Sequence, residues 1–275
     1  MGTLYVVATP IGNLEDVTLR ALRVLREADL VLAEDTRRTR VLLEQHGIPA
    51  RPKSLHAHHE AERSGQVLGT LAEGRAVALV SDAGTPLISD PGERLVQAAI
   101  GAGHAVVPVP GASAVLSALV VSGLPTSRFA FLGFLPRKAG ERRRLLELHC
   151  DSSATLVLFE SPKRVAATLE ALEGILGDRP ACLARELTKL HEAVARGRLS
   201  TLRERFEDGA RGEVTLVVGG AEPQRLASAE LEEAVRRLLD EGVQAKAIAA
   251  ALAPRAEATR SEVYALAVRL AEEGQ

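Results

Sequence analysis

Short apolar runs alternate with helical patterns through the first half of the chain. Strands are predicted at residues 4–8, 30–33, 76–80 and 106–109, and helices at residues 17–27, 37–45, 61–73 and 112–121. A further helix is predicted to open at Asp90-Pro91-Gly92-Glu93, with Asp90 as N-cap and Pro91 at the first helical position. Strand alternating with helix indicates a parallel, doubly wound α/β sheet.

The pattern changes twice further along. The turn-rich segment Ser122-Gly123-Leu124-Pro125 predicts a domain boundary, and Ala221-Glu222-Pro223 begins a third segment. We therefore expect domains at residues 1–122, 123–222 and 223–275. The middle one has predicted strands at residues 129–134, 156–159, 182–186, 193–195 and 214–218, some joined by short links, and a helix starting at Ser161-Pro162. This indicates a second α/β domain with a mixed sheet.

In the third segment, apolar residues repeat only at the spacing typical of helices. Leu231, Val235 and Leu238 repeat on one face, and Thr259 with Glu262 predicts a capping box before a last helix. Three short helices indicate a small helical, helix-turn-helix-like domain. A tail that packs a dimer or covers the core is the alternative.

Composition narrows the class of protein. Hydrophobic residues make up 46% and aromatic residues 3%, so the core must be aliphatic, as in parallel sheets. Cys150 and Cys182 are too few for a disulfide framework and lack metal-ligand spacing, which favours a reducing, cytoplasmic setting. No signal peptide or membrane-length apolar run is evident. With a net charge of -2, any RNA binding must depend on local basic patches.

The loop after the first strand is Thr9-Pro10-Ile11-Gly12-Asn13. A Rossmann dinucleotide site would have G-x-G-x-x-G here, so the single glycine weakens a nicotinamide or flavin hypothesis. Glu34 and Asp35 nevertheless end the second strand where a ribose-binding acid belongs. An ordinary tight turn remains the alternative for this loop.

Two later loops are also rich in small residues. Residues 81–92 hold two glycines, two prolines and the acids Asp82 and Asp90, and Pro110-Gly111-Ala112-Ser113-Ala114 leads into a helix. Small residues let a ligand approach the backbone closely, and a helix start offers free N–H groups. Prolines remove donors that a phosphate would need, and no Walker A lysine follows. We expect a neutral or zwitterionic ligand held by backbone and a carboxylate, rather than a purely structural loop.

These loops carry a family resemblance that extends in order from about residue 4 to residue 220. Its motifs are Thr9-Pro10-Ile11-Gly12-Asn13-Leu14, Ala33-Glu34-Asp35-Thr36-Arg37, residues 81–92, 108–113 and 131–136, Phe159-Glu160-Ser161-Pro162, Arg185-Glu186-Leu187-Thr188-Lys189 and Gly212-Glu213. The chain resembles the tetrapyrrole-methylase-type (class III) methyltransferases, and within them the ribosomal RNA small subunit methyltransferase I family.

The resemblance implies a two-domain fold with S-adenosyl-L-methionine as cofactor, a homodimer, and 2'-O-methylation of a cytidine in small-subunit ribosomal RNA. A methylase of a small tetrapyrrole is the first alternative, although Thr-Pro-Ile-Gly-Asn replaces the glycine-richer first loop of those enzymes. A non-enzymatic RNA- or nucleotide-binding module is the second, and a dinucleotide oxidoreductase is a distant further one.

Site residues follow from the loops and the resemblance together. Cofactor binding is expected at Pro10, Asp82, Ala83, Thr85, Leu87, Gly111, Ala112, Ser113 and Phe159. We expect RNA phosphates to contact Arg37, Arg38, Arg142 and Arg143. The alternative is that these arginines only form a solvated helix face.

A ribose hydroxyl is a poor nucleophile, so a base or a charge-stabilising cation near it would help. The catalytic candidates are His56, Lys189 and Glu186, and Glu60 and Glu160 are further candidates. The alternative for Glu186 is an ion pair with Arg185 that has only a structural role. No metal site is predicted, because a solvated loop or a role at the cleft suits His56, His58 and His59 better than zinc does.

Overall fold

The structure is a computed structural model in which residues 2–55, 60–222 and 226–273 are described. The chain forms two compact units, Met1–Gly220 and Ala221–Gln275. The first contains two five-stranded sheets and the second contains helices. The division lies two residues before the predicted boundary at 222/223, whereas the boundary at 122/123 stays a prediction because both sheets belong to one unit.

The first sheet is entirely parallel, with strand order β3-β2-β4-β1-β5. Its strands are β1 Thr3–Val7, β2 Leu30–Ala33, β3 Lys53–Ser54, β4 Ala76–Val80 and β5 Ala105–Val109. Its helices are α1 Leu19–Glu27, α2 Thr36–Gln45, α3 Glu60–Ala72 and α4 Glu93–Gly101. Aliphatic clusters cover both faces, one around Leu25 and Val31, the other around Leu32 and Leu95. The predicted doubly wound sheet is confirmed, and its strands all end at the same edge.

The second sheet is mixed, with order β6-β7-β10-β8-β9, in which only β6 and β7 pair in parallel. Its strands are β6 Phe129–Phe134, β7 Thr155–Glu160, β8 Pro180–Arg185, β9 Ala193–Arg198 and β10 Val214–Val218. Its helices are α6 Ala139–Glu147, α7 Val165–Leu176 and α8 Leu199–Arg205. The mixed sheet agrees with the prediction.

One helix joins the two sheets. Helix α5 (Ala114–Ser122) follows β5 of the first sheet, yet its Ala118 and Leu119 share an apolar cluster with Val157, Cys182 and Val217 of the second. Helices α6, α7 and α8 cover the opposite face of that sheet. Helix α5 therefore links the two sheets, because it follows a strand of the first sheet and packs against the second.

One predicted helix start is wrong. Helix α4 begins at Glu93 with Gly92 as N-cap, and no side chain caps it. Asp90 instead bonds to Ser81, because residues 87–92 form a loop with left-handed backbone at Leu87 and Ser89. The other predicted start is confirmed: Ser161 is the N-cap and Pro162 the first residue of a 3-10 turn over Pro162–Arg164, which continues into helix α7 at Val165. Strand β3 and helices α6 and α8 were not predicted.

The second unit contains α9 Ser228–Asp240, α10 Ala245–Leu252 and α11 Arg260–Glu273. Leu231, Val235, Ile248 and Val263 form its own apolar core. The predicted capping box is confirmed: the N–H of Thr259 donates to Glu262 Oε2 at 2.6 Å, and the N–H of Glu262 donates back to Thr259 Oγ1 at 3.3 Å.

Candidate active site

A cavity of about 410 Å³ lies at the carboxyl ends of the first sheet's strands and faces the second sheet. We call it the main cavity. One wall comes from the first sheet and is lined by Glu34, Arg38, Asp82, Ala83, Gly84, Thr85, Ile88, Ser89 and Asp90. The other comes from the second sheet and is lined by Phe134, Phe159, Glu160, Ser161, Pro162 and residues 212–215, with Ser113 and Val115 of α5 between them. This is where open α/β sheets bind ligands.

The first wall gathers carboxylates. Asp82 accepts a hydrogen bond from the N–H of Asp35 at 2.8 Å, and its other oxygen lies 3.7 Å from Nε of Arg38. Partial burial, together with the negative charge of Glu34, raises the pKa of Asp90 to about 6, although a hydrogen bond with Ser81 opposes the shift. Glu34, Asp82 and Asp90 therefore make this wall acidic, which suits a cationic or zwitterionic ligand.

The acidic loop is held in an unfavourable conformation. Leu87 and Ser89 have φ values of 73° and 70°, which cost non-glycine residues about 1–3 kcal/mol each. The loop is anchored because Thr9 and Gly84 exchange backbone hydrogen bonds of 2.8 and 3.0 Å. Such strain is found mostly at ligand sites, where surrounding contacts preserve it.

The second wall is aromatic. The ring centroid of Phe159 lies 4.9 Å from that of Phe131 and 5.7 Å from that of Phe134. These are three of the five phenylalanines in a chain without tryptophan, and Phe134 is 54% exposed at the cavity. Phe134 was missed as a site residue, although the motif at 131–136 signalled it.

A second cavity of about 350 Å³, the side cavity, shares five residues with the main one: Ile11, Arg38, Asp82, Ala83 and Glu213. Pro10 and Lys189 line it. The Nζ of Lys189 lies 3.0 Å from Glu186 and 3.1 Å from Glu213. Partial burial acts to lower the pKa of Lys189, but hydrogen bonds to both carboxylates outweigh it and the net pKa is raised. Lys189 therefore stays protonated at neutral pH.

The predicted Arg185–Glu186–Lys189 segment forms a fixed loop against the first loop of the chain. The N–H of Asn13 donates to Thr188 Oγ1 at 3.0 Å, and a Cβ on Gly12 would collide with Lys189. The hydrogen bond from the N–H of Glu213, followed by that from Lys189, lowers the pKa of Glu186. Glu186 pairs with Lys189 within this loop.

Glu160 has a different setting. Its side chain is completely buried, and it accepts hydrogen bonds from Thr168 Oγ1 at 2.6 Å and the N–H of Ser161 at 2.7 Å. Arg164 lies 3.3 Å from the same carboxylate. These contacts join the end of β7 to the 3-10 turn and to helix α7.

The predicted cofactor residues are partly brought together. Asp82, Ala83, Thr85, Ser113 and Phe159 line the main cavity, and Pro10 lines the side cavity. Leu87 packs into the first sheet's core, Gly111 packs against Ala8, and the carbonyl of Ala112 approaches Gly84.

The predicted RNA-binding arginines differ in their partners. Arg37 is 2.7 Å from Asp35, and Arg143 is 2.7 Å from Glu147. Arg38 lines both cavities, and Arg142 lies on α6.

The predicted catalytic His56 and its neighbours His58 and His59 lie outside the described residues, as does the side chain of Glu60. Across residues 2–55, 60–222 and 226–273, no group of three or more His, Cys, Asp or Glu side chains is arranged to hold a metal ion. In that same part of the chain, no helix has the length and apolar character that crossing a membrane requires.

The fold and this cavity define a class of protein, and comparison with known proteins agrees. The chain belongs to the tetrapyrrole (corrin/porphyrin) methylase family, whose family model matches residues 3–203. Within that class, it is 48% identical to the ribosomal RNA small subunit methyltransferase I of Micromonospora olivasterospora, over 99% of this chain and 88% of the relative. It is 43% identical to the protein of that name from Synechocystis, over the full length of both. The family resemblance is confirmed.

Solved structures share the fold. The chain is similar to uroporphyrin-III-C-methyltransferase from Thermus thermophilus, with a TM-score of 0.55 and 26% identity, over 80% of this chain and 92% of that one. A second structure of that enzyme, complexed with S-adenyl homocysteine, has a TM-score of 0.57 and 23% identity, over 79% and 97% of the two chains. The predicted class III methylase fold is confirmed.

Proposed function

We propose that this chain transfers a methyl group from S-adenosylmethionine to the 2'-hydroxyl of a cytidine in small-subunit ribosomal RNA. The observation that carries the proposal is the acidic main cavity, built from the three glycine- and proline-rich loops of a methylase fold. Relatives at 43% and 48% identity, matched over 99% or more of this chain, carry the name of a ribosomal RNA methyltransferase, which supports RNA as the acceptor.

The donor set of the cavity fits this cofactor. Glu34, Asp82 and Asp90 supply negative charge for a sulfonium and an ammonium group and acceptors for ribose hydroxyls. Phe159 and Val115 supply the apolar surface that excludes water. When bound, S-adenosylmethionine supplies a methyl group already activated by its positively charged sulfur.

Three residues are assigned to the transfer. Lys189, protonated and held by Glu186 and Glu213, partly offsets negative charge developing on the 2'-oxygen. Glu186 is a poor base because its pKa is lowered, so its role is to position Lys189. His56 remains the proposed acceptor of the hydroxyl proton.

The test is to map methylated riboses in the small-subunit RNA of cells that lack this protein. One cytidine 2'-O-methyl group is expected to be missing and to return with the wild-type gene but not with an Asp82→Asn variant. Purified protein is also offered uroporphyrinogen III in parallel. An unchanged ribose map combined with turnover of the porphyrinogen would replace this proposal with small-tetrapyrrole methylation.

Two further proposals concern assembly. Helix α5 leaves Leu116 and Val120 exposed at 51% and 70%, an apolar surface that a homodimer would bury. Light scattering of the purified protein measures its mass.

The helical unit from residue 223 onward is proposed to recognise the RNA or the subunit. Removing it is expected to spare cofactor binding while reducing methylation of the ribosomal substrate.

A further inference from the structure

A groove of about 520 Å³ lies at the edge of the second sheet, outside both cavities of the site. It is bounded by the end of β8, by β9, by the end of α8 and by the loop that follows α8. Arg185 is the last residue of β8, Arg205 is the last residue of α8, and Arg211 lies in the loop. Asp208 is the only acidic residue among those that line the groove. We call it the arginine groove.

The three guanidinium groups of the groove are available for a ligand. Among the described residues, no carboxylate lies within ion-pair distance of Arg185, Arg205 or Arg211, and Arg205 only covers the ring of Phe206, 5.6 Å from its centroid. On the same helix, by contrast, Arg203 lies 2.8 Å from Glu173. An arginine already bound to a carboxylate must exchange it for a phosphate, whereas the arginines of the groove need no exchange.

The loop that carries Arg211 also forms part of the active-site wall. Gly212 and Glu213, the next two residues, line the main cavity. The loop is fixed at one end by the N–H of Ala210, which donates to the carbonyl of Pro162 at 3.0 Å. At the other end, the N–H of Glu213 donates to Glu186 at 2.9 Å. The arginine groove and the main cavity are thus two sides of one short, anchored loop.

We propose that the arginine groove binds backbone phosphates of the substrate RNA that flank the methylated nucleotide. Planar guanidinium groups match phosphate oxygens in two-pronged hydrogen bonds, and three of them spread along one open groove suit consecutive phosphates of a strand. Binding here fixes the strand beside the main cavity, so that the reacting ribose reaches the methyl donor. The assignment rests on the proposed function, because it takes RNA as the acceptor.

The test compares Arg205→Gln/Arg211→Gln with a charge-matched control, Arg20→Gln/Arg26→Gln. Both control arginines are exposed on helix α1, and neither has an ion-pair partner among the described residues. Binding to small ribosomal subunits from cells lacking the protein is measured at several salt concentrations, with S-adenosylhomocysteine present so that no turnover occurs. A single-stranded phosphate contact contributes about 0.7 to the slope of log affinity against log salt, so the groove variant should lose about 1.4. The control should match the wild type.

An Arg205→Lys/Arg211→Lys variant should recover most of the salt slope, because it restores the charge. Cofactor affinity should be equal in all four proteins. A groove variant with the wild-type slope overturns the proposal, and so does an equal loss in the control. Methylation by the wild type is scored separately: wild-type protein that binds the subunits without methylating them contradicts the proposed function and leaves the measured salt slopes interpretable.

Discussion

The two walls of the main cavity hold charge in opposite ways. On the first wall, burial and the nearby charges of Glu34 and Asp82 raise the pKa of Asp90 to about 6, although Arg38 lies 3.7 Å from Asp82. On the second wall, Glu160 has several hydrogen-bond partners and Glu213 is paired with Lys189.

Charge that the protein itself balances contributes to holding the fold together. A charge that the protein does not balance raises the free energy of the ligand-free protein, and binding of a ligand of opposite charge lowers it. We therefore assign ligand binding to the first wall, where burial and neighbouring carboxylates disfavour the charge of Asp90, and structural support to Glu160 of the second wall.

The largest effect on stability is expected at Glu160. Replacing Glu160 with Gln removes the charge facing Arg164 and disturbs the hydrogen bond with Thr168 in a fully buried place. We expect the free energy of unfolding to fall by about 2–4 kcal/mol, measured by chemical denaturation. Glu213→Gln, at a 61% exposed side chain, should change it by less than about 1 kcal/mol. Equal stability of the Glu160 variant and the wild type would remove the structural assignment.

The converse effect is expected at Asp82. Asp82→Asn keeps an oxygen that can accept from the N–H of Asp35 but removes the negative charge from the first wall. Affinity for S-adenosylmethionine should fall about tenfold to a hundredfold, since hydrogen bonds to charged groups contribute about 1.5–3 kcal/mol. Calorimetry measures this, with Glu213→Gln on the second wall as the control. A Glu213 variant that loses as much affinity as the Asp82 variant would erase the difference between the walls.

Much of the first wall could be predicted from sequence, because Asp82 and its neighbours follow a strand in an unusually small, proline-rich loop. The role of Asp90 could not. Asp-Pro-Gly-Glu has the composition of a helix start, and only the tertiary structure turns Asp90 towards Ser81 and the charge of Glu34.

The second wall was harder to predict. The hydrogen bonds and ion pairs of this wall depend on contacts such as that between Glu186 and Glu213, which are 27 residues apart. The arginine groove likewise draws on a strand end, a helix end and a loop, and local periodicity does not bring these together. Strands, by contrast, were predicted well because aliphatic runs between turn residues report burial directly.

A smaller effect is expected at Lys189, which the second wall holds with two carboxylates. Lys189→Ala should lower the rate of methyl transfer at least about tenfold, roughly 1.4 kcal/mol of barrier, with cofactor and RNA affinities nearly unchanged. Single-turnover methylation with both substrates saturating measures this, and Lys138→Ala, at an 81% exposed lysine, is the control. Lys189→Arg should retain much of the rate because it keeps the charge. A wild-type rate in Lys189→Ala would mean that this lysine is purely structural.

The smallest expected effect concerns pH and Asp90. Its pKa is raised to about 6 by burial and by Glu34, so the carboxyl is neutral below that pH and charged above it. A cationic ligand favours the charged form, and affinity for S-adenosylmethionine should therefore rise about fivefold between pH 5 and pH 7 if binding lowers this pKa by about one unit. Asp90→Asn should flatten that rise.

As pH rises, the stability of the ligand-free protein should fall while its affinity for the cofactor rises, which provides an independent check. A carboxyl whose folded pKa lies above its ordinary value of 3.8 contributes stability at low pH that is lost as pH rises to about 6. The ligand-free Asp90→Asn protein should therefore melt at a higher temperature than the wild type at pH 7.5, and the gain should disappear below pH 4. A variant that gains no thermal stability at pH 7.5 and keeps the wild-type pH dependence of affinity would show that Asp90 carries no excess charge. The assignment of ligand binding to the first wall would then rest on Asp82.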